Sequence, residues 1–261
     1  MAQVSFHVQN SIAITPARAP FGSFLFSNSL SPVILHDFVT HCEAHLQKSG
    51  ITSLILTEPP LFYRKSGELL HAILLNRQFR VSKAELSSGI KIDKTVFEEK
   101  IEAWEKRKLK QAKAKGLQFR ALPITEVGNV YDFILACRKQ RGQTLSMTLE
   151  ELRDTIKIFK KSFYLFGTYF QKELAAASIA IQVHPTILYN FYSGHLKKFD
   201  SISPVVLLTS GMYKFCESNQ FSLLDLGTSS VDGRLNFNLL DFKFRLGAVP
   251  SMKLTFEKEL V

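Results

Sequence analysis

The sequence predicts an α/β protein with a mixed sheet of the α+β kind, built as two tandem copies of one unit. Three observations carry this. Apolar runs of strand length alternate along the chain with segments of helical period. Within residues 163–194 three strands follow one another with no helix between them, the first two joined by the tight turn Gln171-Lys172-Glu173 and therefore antiparallel. Finally, the helix start Leu30-Ser31-Pro32-Val33-Ile34-Leu35 returns as Ile202-Ser203-Pro204-Val205-Val206-Leu207.

With 46% hydrophobic and 21% charged residues the composition is that of a globular protein, and 261 residues allow one large or two small domains. A net charge of +10 favours polyanionic partners such as RNA, nucleotides or an anionic surface, and says nothing about fold. Cys42, Cys137 and Cys216 are odd in number with no close pair, which reads as reduced thiols. The start, MAQVSFHVQN, shows neither a basic nor an apolar signal region, and no apolar run approaches the ~18 residues of a membrane span. A cytoplasmic location is expected.

In chain order, residues 3–28 read as a β-hairpin, with strands around 5–14 and 22–26. Ser31 and Pro32 start a helix to Gly50, with Ser as N-cap and Pro at its first position. A buried strand at 51–56, a helix at 66–77 and extended chain at 79–92 close the first unit. Residues 94–115 form a charged helix, acidic first and basic last as the helix dipole prefers, read as a solvated connector. Its lysines, Lys106 to Lys115, also offer a surface to RNA or another polyanion. The second unit runs from 117 to 261: a strand at 118–122, a helix at 126–140, and a helix from Thr148 to about 160 opened by the capping box Thr148/Glu151. The three strands at 163–170, 174–183 and 187–194 come next, then a helix from Ser203 to about Cys216. Phe221–Leu226 is a buried strand, 227–234 a polar loop, 235–246 a helix with Gly247 as C-cap, and 251–257 a last strand.

The repeat extends beyond the helix starts. Leu54 matches Leu224 and Leu69 matches Leu239 at one common offset, and Ser31 matches Ser203 at an offset only slightly longer. The copies differ in content: Asp225 matches Ile55, Gly227 matches Thr57, and Phe242 and Lys243 match Ala72 and Ile73. Polar groups in the second copy stand where the first is apolar, so a site belongs mainly to the second. The first copy is truncated at its front, since much less chain precedes Ser31 than separates Gly116 from Ser203. It needs the second copy or another chain, as in a homodimer, to complete it.

Leu188-Tyr189 through Gly194, Ser203-Pro204, Leu223-Asp225-Leu226-Gly227, and Leu240, Phe242-Lys243 and Gly247 resemble, in order and spacing, the FemABX-like branch of the GNAT acyltransferase fold. That branch carries two GNAT units in tandem and a Phe-Lys…Gly signature. The resemblance implies transfer of an acyl or aminoacyl group to an amine, with acyl-CoA or aminoacyl-tRNA as donor and no covalently bound cofactor. It implies that Lys243 sits at the transfer centre, where a cation stabilises an oxyanion or holds a phosphate. A helix-end lysine that satisfies the last carbonyls is the simpler reading.

Asp225 and Asp232 are candidate proton acceptors for the attacking amine, and Asp232 is equally a turn residue. Tyr189 and Tyr192 flank the expected cleft, with Gly227, Thr228 and Phe242 as further substrate contacts. The Gly-rich pyrophosphate loop of GNAT enzymes has no counterpart in Leu196-Lys197-Lys198-Phe199-Asp200-Ser201-Ile202-Ser203-Pro204. Lys197, Lys198, Ser201 and Ser203 at a helix N-terminus are its expected replacement. Two other constellations are weaker: His41 and His45 flank Cys42 on one helix without a third metal ligand, and His195 with Asp225 and a serine lacks a nucleophile elbow.

Overall fold

The structure, a computed structural model, describes residues 1–231 and 233–260; Asp232, one of the candidate proton acceptors, lies outside them. In chain order come β1 (Ala2–Gln3), β2 (His7–Gln9), β3 (Ile12–Thr15), β4 (Leu25–Phe26), α1 (Pro32–Lys48), β5 (Ser53–Thr57), α2 (Gly67–Asn76) and β6 (Arg80–Lys91). They are followed by α3 (Phe97–Lys100), α4 (Ala103–Ala114), β7 (Leu117–Leu122), α5 (Val127–Lys139), α6 (Leu149–Ile158), β8 (Phe163–Phe170), β9 (Glu173–His184) and β10 (Ile187–His195). The chain ends with α7 (Pro204–Ser218), β11 (Leu223–Thr228), β12 (Ser230–Val231), β13 (Arg234–Leu235), α8 (Phe237–Arg245) and β14 (Val249–Glu259).

The chain forms two compact units: Met1–Ser87 with Thr228–Asn236 and Pro250–Val261, and Ser88–Gly227 with Phe237–Val249. A cut by residue number at 93 and 117 therefore differs from the folded division. In the first unit the strand order is β2-β3-β5-β14-β6. The last strand of the chain pairs antiparallel with β5, from Thr255 opposite Thr57 to Glu259 opposite Ser53, and buries Phe256 among Leu54, Leu56 and Leu70. The first unit thus takes one of its strands from the chain's own C-terminal segment. Sequence order gives no hint of this, because such a pairing is fixed by long-range packing. The expected hairpin over 3–28 is tighter than predicted: β2 turns at Asn10-Ser11 into β3, while β4 pairs with β1.

In the second unit the order is β6-β11-β10-β9-β8-β7, with β10 and β11 parallel and the β7–β10 neighbours antiparallel. This is the mixed sheet expected. α7 packs on one face of the unit in a core containing Phe166, Met212, Tyr213 and Leu224, and α5 and α6 cover a second core around Ile134, Leu152 and Ile179. The helix expected over 94–115 breaks into α3 and α4 at Ile101-Glu102 and is no solvated connector. Phe97, Ile101, Leu109 and Ala112 are buried in the second unit's main core. Its charges hide this, since Glu105 is itself fully buried between Lys108 and Arg245.

The Thr148/Glu151 capping box forms as predicted. Ser31 and Ser203 precede their helices with Pro at the first turn, but neither side chain caps, and Ser203 takes left-handed backbone instead. The starts of β5 and β11, at Ser53 and Leu223, are as far apart as those of α2 and α8, at Gly67 and Phe237. Among the described residues no helix is long and apolar enough to cross a membrane.

Candidate functional site: a buried lysine at the end of β11

β11, Leu-Leu-Asp-Leu-Gly-Thr, is buried along all but its last residue. A strand covered on both faces is ordinarily apolar throughout, and Asp225, 1% exposed, is the exception. Its Oδ1 accepts from the Gly227 amide at 2.7 Å. Gly227 has φ +76°, a backbone region that carries little cost only for glycine, and a Cβ there would touch the Tyr189 ring at 3.4 Å. The parallel ladder of β10 with β11 runs from Ile187/Leu223 to Tyr189/Asp225. Just beyond, β10 bulges between Asn190 and Tyr192, a device that re-aims strands beside functional sites.

α8 brings in the cation. Leu240, Lys243 and Leu246 follow one another at spacing three, so they share the core-facing side of the helix, while Phe237, Leu239 and Phe244 face outward. Lys243 is 5% exposed, and its Nζ donates to the Gly227 carbonyl at 2.7 Å. Burial lowers its pKa to about 8, the neighbouring Arg138 guanidinium pushes the same way, and Asp225 pulls against both. A helix-end lysine that merely capped carbonyls would lie in solvent, so that reading does not describe this side chain. Gly247 ends the helix as predicted, its amide bonded to the Phe244 carbonyl and the Ala248 amide to the Lys243 carbonyl. Phe242 is half-buried and packs against the main core of the unit.

Asp225, Gly227, Tyr189 and Lys243 are therefore brought together, whereas Tyr192, Lys197, Lys198, Ser201 and Ser203 are placed elsewhere. Tyr192 is 6% exposed in the α5–α6 core, where its hydroxyl lies 2.6 Å from Ser146 Oγ and accepts from the Met147 amide. It anchors a loop rather than lining a cleft. Thr228 ends β11 and belongs by its packing to the first unit. Lys197 to Ile202 make a short 3₁₀ turn in which Lys197 and Ser201 are exposed. Lys198 pairs with Glu173 at 2.5 Å on the surface, and Ser203 has φ +53°. His195 pairs with Asp200 at 3.1 Å rather than with Asp225. On α1, His41 Nδ1 lies 2.7 Å from the Asp37 carbonyl oxygen.

Two arginines near the site are absent from the sequence reading. Arg138 Nε donates to the Ser193 carbonyl at 3.1 Å, and Arg141 donates to the Cys137 and His195 carbonyls while Nη2 lies 3.0 Å from His195 Nε2. Burial, reinforced by Arg141, holds His195 below its ordinary pKa although Asp200 opposes the shift. A signal exists for both. On α5 the buried stripe Val127, Val130, Ile134, Cys137 continues at helical spacing into Arg138 and Arg141, cations where an apolar residue would ordinarily stand.

The first unit holds a buried acid that the strand-and-helix comparison passes over. Glu58 follows β5 directly and is 1% exposed; its Oε2 is 3.7 Å from Arg64 Nη1, and its Oε1 makes no hydrogen bond among the described residues. Burial raises its pKa to about 7, with Arg64 offsetting only part of the cost. His71 on α2, also buried, is held below its usual range by burial and by Arg64.

No family model matches the sequence, and no curated protein sequence matches it significantly. Solved structures do match over nearly the whole chain. FemX aligns at 11% identity over 98% of this chain and 87% of its own, with a TM-score of 0.71. L-PGS from Bacillus licheniformis aligns at 12% identity over 98% and 80%, at 0.62. A tandem GNAT protein from the clavulanic acid biosynthesis pathway aligns at 12% over 96% and 76%, at 0.55. The chain thus has a GNAT-like fold, which it shares with FemX and the tandem GNAT protein.

Proposed function

We propose that the chain transfers an acyl or aminoacyl group to an amine acceptor, with Lys243 at the transfer centre. The observation that carries this is the position of Lys243 itself. It occupies a core-facing helix position, its counterpart in the first copy is the buried Ile73, and its ammonium meets the end of β11. Placing a charge there costs several kcal/mol unless it is compensated, so packing alone would favour an aliphatic residue. Lys243 would supply positive charge to the oxygen that becomes negative as the amine nitrogen bonds to the acyl carbon. The bond from that carbon to the donor's leaving oxygen or sulfur then breaks, and the amine's proton goes to a base. Asp225, already oriented by the Gly227 amide, is the proposed base; Asp232 is the second candidate. Tyr189 and Phe242 are the proposed substrate contacts.

Acyl-CoA and aminoacyl-tRNA are the two donor classes proposed, and the resemblance to FemX and to a GNAT protein supports both equally. A groove of about 470 Å³ beside α4 is lined by Lys106, Arg107, Lys110 and Lys113 along with Ala103, Leu109 and Glu98, the last paired with Lys113 at 2.7 Å, and its three remaining cations offer a polyanion such as tRNA a basic edge. If it holds one, affinity falls with salt at a log–log slope of about −0.7 per phosphate contacted.

The test is transfer from labelled acyl-CoA and aminoacyl-tRNA to an amine panel, with wild type and the charge-neutral pair Lys243→Gln/Asp225→Asn. The pair is expected to fold and to lose on the order of 10²–10³-fold in rate. A folded pair that transfers as fast as wild type removes both residues from the chemistry. No transfer by wild type from any donor favours a catalytically silent binding protein on this fold, the reading to which the missing glycine loop points.

A further inference from the structure

The C-terminal turn of α6 holds an apolar pair out in solvent. The helix already meets the core through Leu149, Leu152 and Ile156, at spacing three and four. Ile158 and Phe159 leave that face, and they are 75% and 57% exposed, among the most exposed large apolar side chains of the chain. Both are held in defined geometry. The Phe159 amide bonds to the Thr155 carbonyl, the Ser162 amide to the Phe159 carbonyl, and the Gln182 amide to the Ser162 carbonyl at 2.7 Å, which ties the turn to the sheet. The pair is bracketed by three exposed lysines, Lys157, Lys160 and Lys161. Lys157 reaches back to Asp154 at 2.7 Å in an exposed pair, and no acid lies between residues 155 and 172.

We propose that this turn is a membrane-surface contact: Ile158 and Phe159 enter the interfacial zone of an anionic bilayer while Lys157, Lys160 and Lys161 meet its phosphates. An apolar tip ringed by ammonium groups is complementary to such a surface at both levels. Hydrocarbon accepts the two side chains, flexible lysine stems allow each charge to stay at headgroup depth, and the anionic leaflet attracts each cation. A protein groove that took the apolar pair would have to supply acids around its rim as well. The net charge of +10 adds long-range attraction toward the same surface. The contact is peripheral and reversible, since two side chains are far too few for irreversible insertion.

The test is cosedimentation of the full chain with vesicles of phosphatidylglycerol and phosphatidylcholine, and with vesicles of phosphatidylcholine alone, at low and at physiological salt. Wild type is expected to partition onto the anionic vesicles and to release as salt rises. Ile158→Ser/Phe159→Ser should cut partition on the order of tenfold or more, because each apolar side chain withdrawn from water is worth about that factor. Lys157→Gln/Lys160→Gln/Lys161→Gln should lose a similar factor. Neither change should move the melting temperature, as none of the five side chains is buried. Binding by the serine variant that equals wild type places any vesicle contact elsewhere, for instance on the α4 groove, and overturns the proposal. So does absence of vesicle binding, or a wild-type dimer in sedimentation velocity that the serine variant dissolves, which would make a second copy the occupant.

Discussion

Residues 53–76 and 223–245 follow one plan, strand then loop then helix, in the same spacing from strand start to helix start, yet they bury charge in different places. In the second unit the charge sits in the regular elements, Asp225 inside β11 and Lys243 on the inner side of α8, opposite in sign and each with a short hydrogen bond to Gly227. In residues 53–76 the strand carries no charged residue and the helix buries only His71 among its polar side chains, while the buried acid lies in the loop, with Glu58 3.7 Å from Arg64 and one carboxylate oxygen unbonded among the described residues. Regular elements hold a side chain more rigidly than loops do, and preorganised charge is what an acyl-transfer site requires. The second segment encloses an acid and a cation together in its regular elements, the arrangement the proposed transfer centre needs, whereas the first accommodates an acid that burial drives toward its neutral form.

The largest way to break this contrast is to remove one member of the second unit's pair. Lys243→Met leaves Asp225 buried without its cation and should destabilise by about 3–5 kcal/mol. Adding Asp225→Asn should recover most of that loss. Denaturant unfolding of the four variants in a double-mutant cycle measures the coupling; additive effects would show that the two residues do not act together.

Glu58 sharpens the other side. Its pKa is raised from 4.5 to about 7. The stability of its neutral form is therefore fully present below pH 4.5 and lost as pH rises through 7, at most roughly 3 kcal/mol in all. Glu58→Gln keeps the neutral shape at every pH. It should match wild type in thermal unfolding near pH 4.5 and exceed it at pH 8. Equal melting temperatures at both values would mean that Glu58 stays ionised without cost.

Gly227→Ala gives a smaller effect. The left-handed φ of +76° costs a non-glycine residue about 1–2 kcal/mol, whereas Thr57→Ala at the matching strand end of the first unit should cost less than about 1 kcal/mol. Similar losses at both positions would mean that Gly227 relaxes out of its positive φ.

Much of this is legible in the chain. Helical and strand periods set nearly every element to within a few residues, and the repeated Ser-Pro and Leu-Leu wording exposes the paired segments. Lys243 stands out because it replaces Ile73 in that register. What stays hidden depends on contacts distant in sequence. The pairing of β14 with β5 is one case. Another is the burial of 97–112, where a strongly charged surface masks Phe97, Ile101, Leu109 and the fully enclosed Glu105. Tyr192 reads like Tyr189 because both are tyrosines on one strand, but the bulge after Asn190 gives them different surroundings. Glu58 escapes notice because Glu-Pro-Pro reads as a strand terminator, and a terminator is ordinarily solvated.

The most direct measurement is the titration of Lys243. Its acylation by isotope-labelled acetic anhydride can be followed residue by residue with mass spectrometry across pH, with an exposed lysine such as Lys157 as internal reference. The desolvated ammonium should lose its proton at about pH 8, and in the Asp225→Asn background it should lose it at still lower pH. A midpoint near the ordinary lysine value of 10.5, unmoved by Asp225→Asn, would contradict a buried, poised cation at the end of β11.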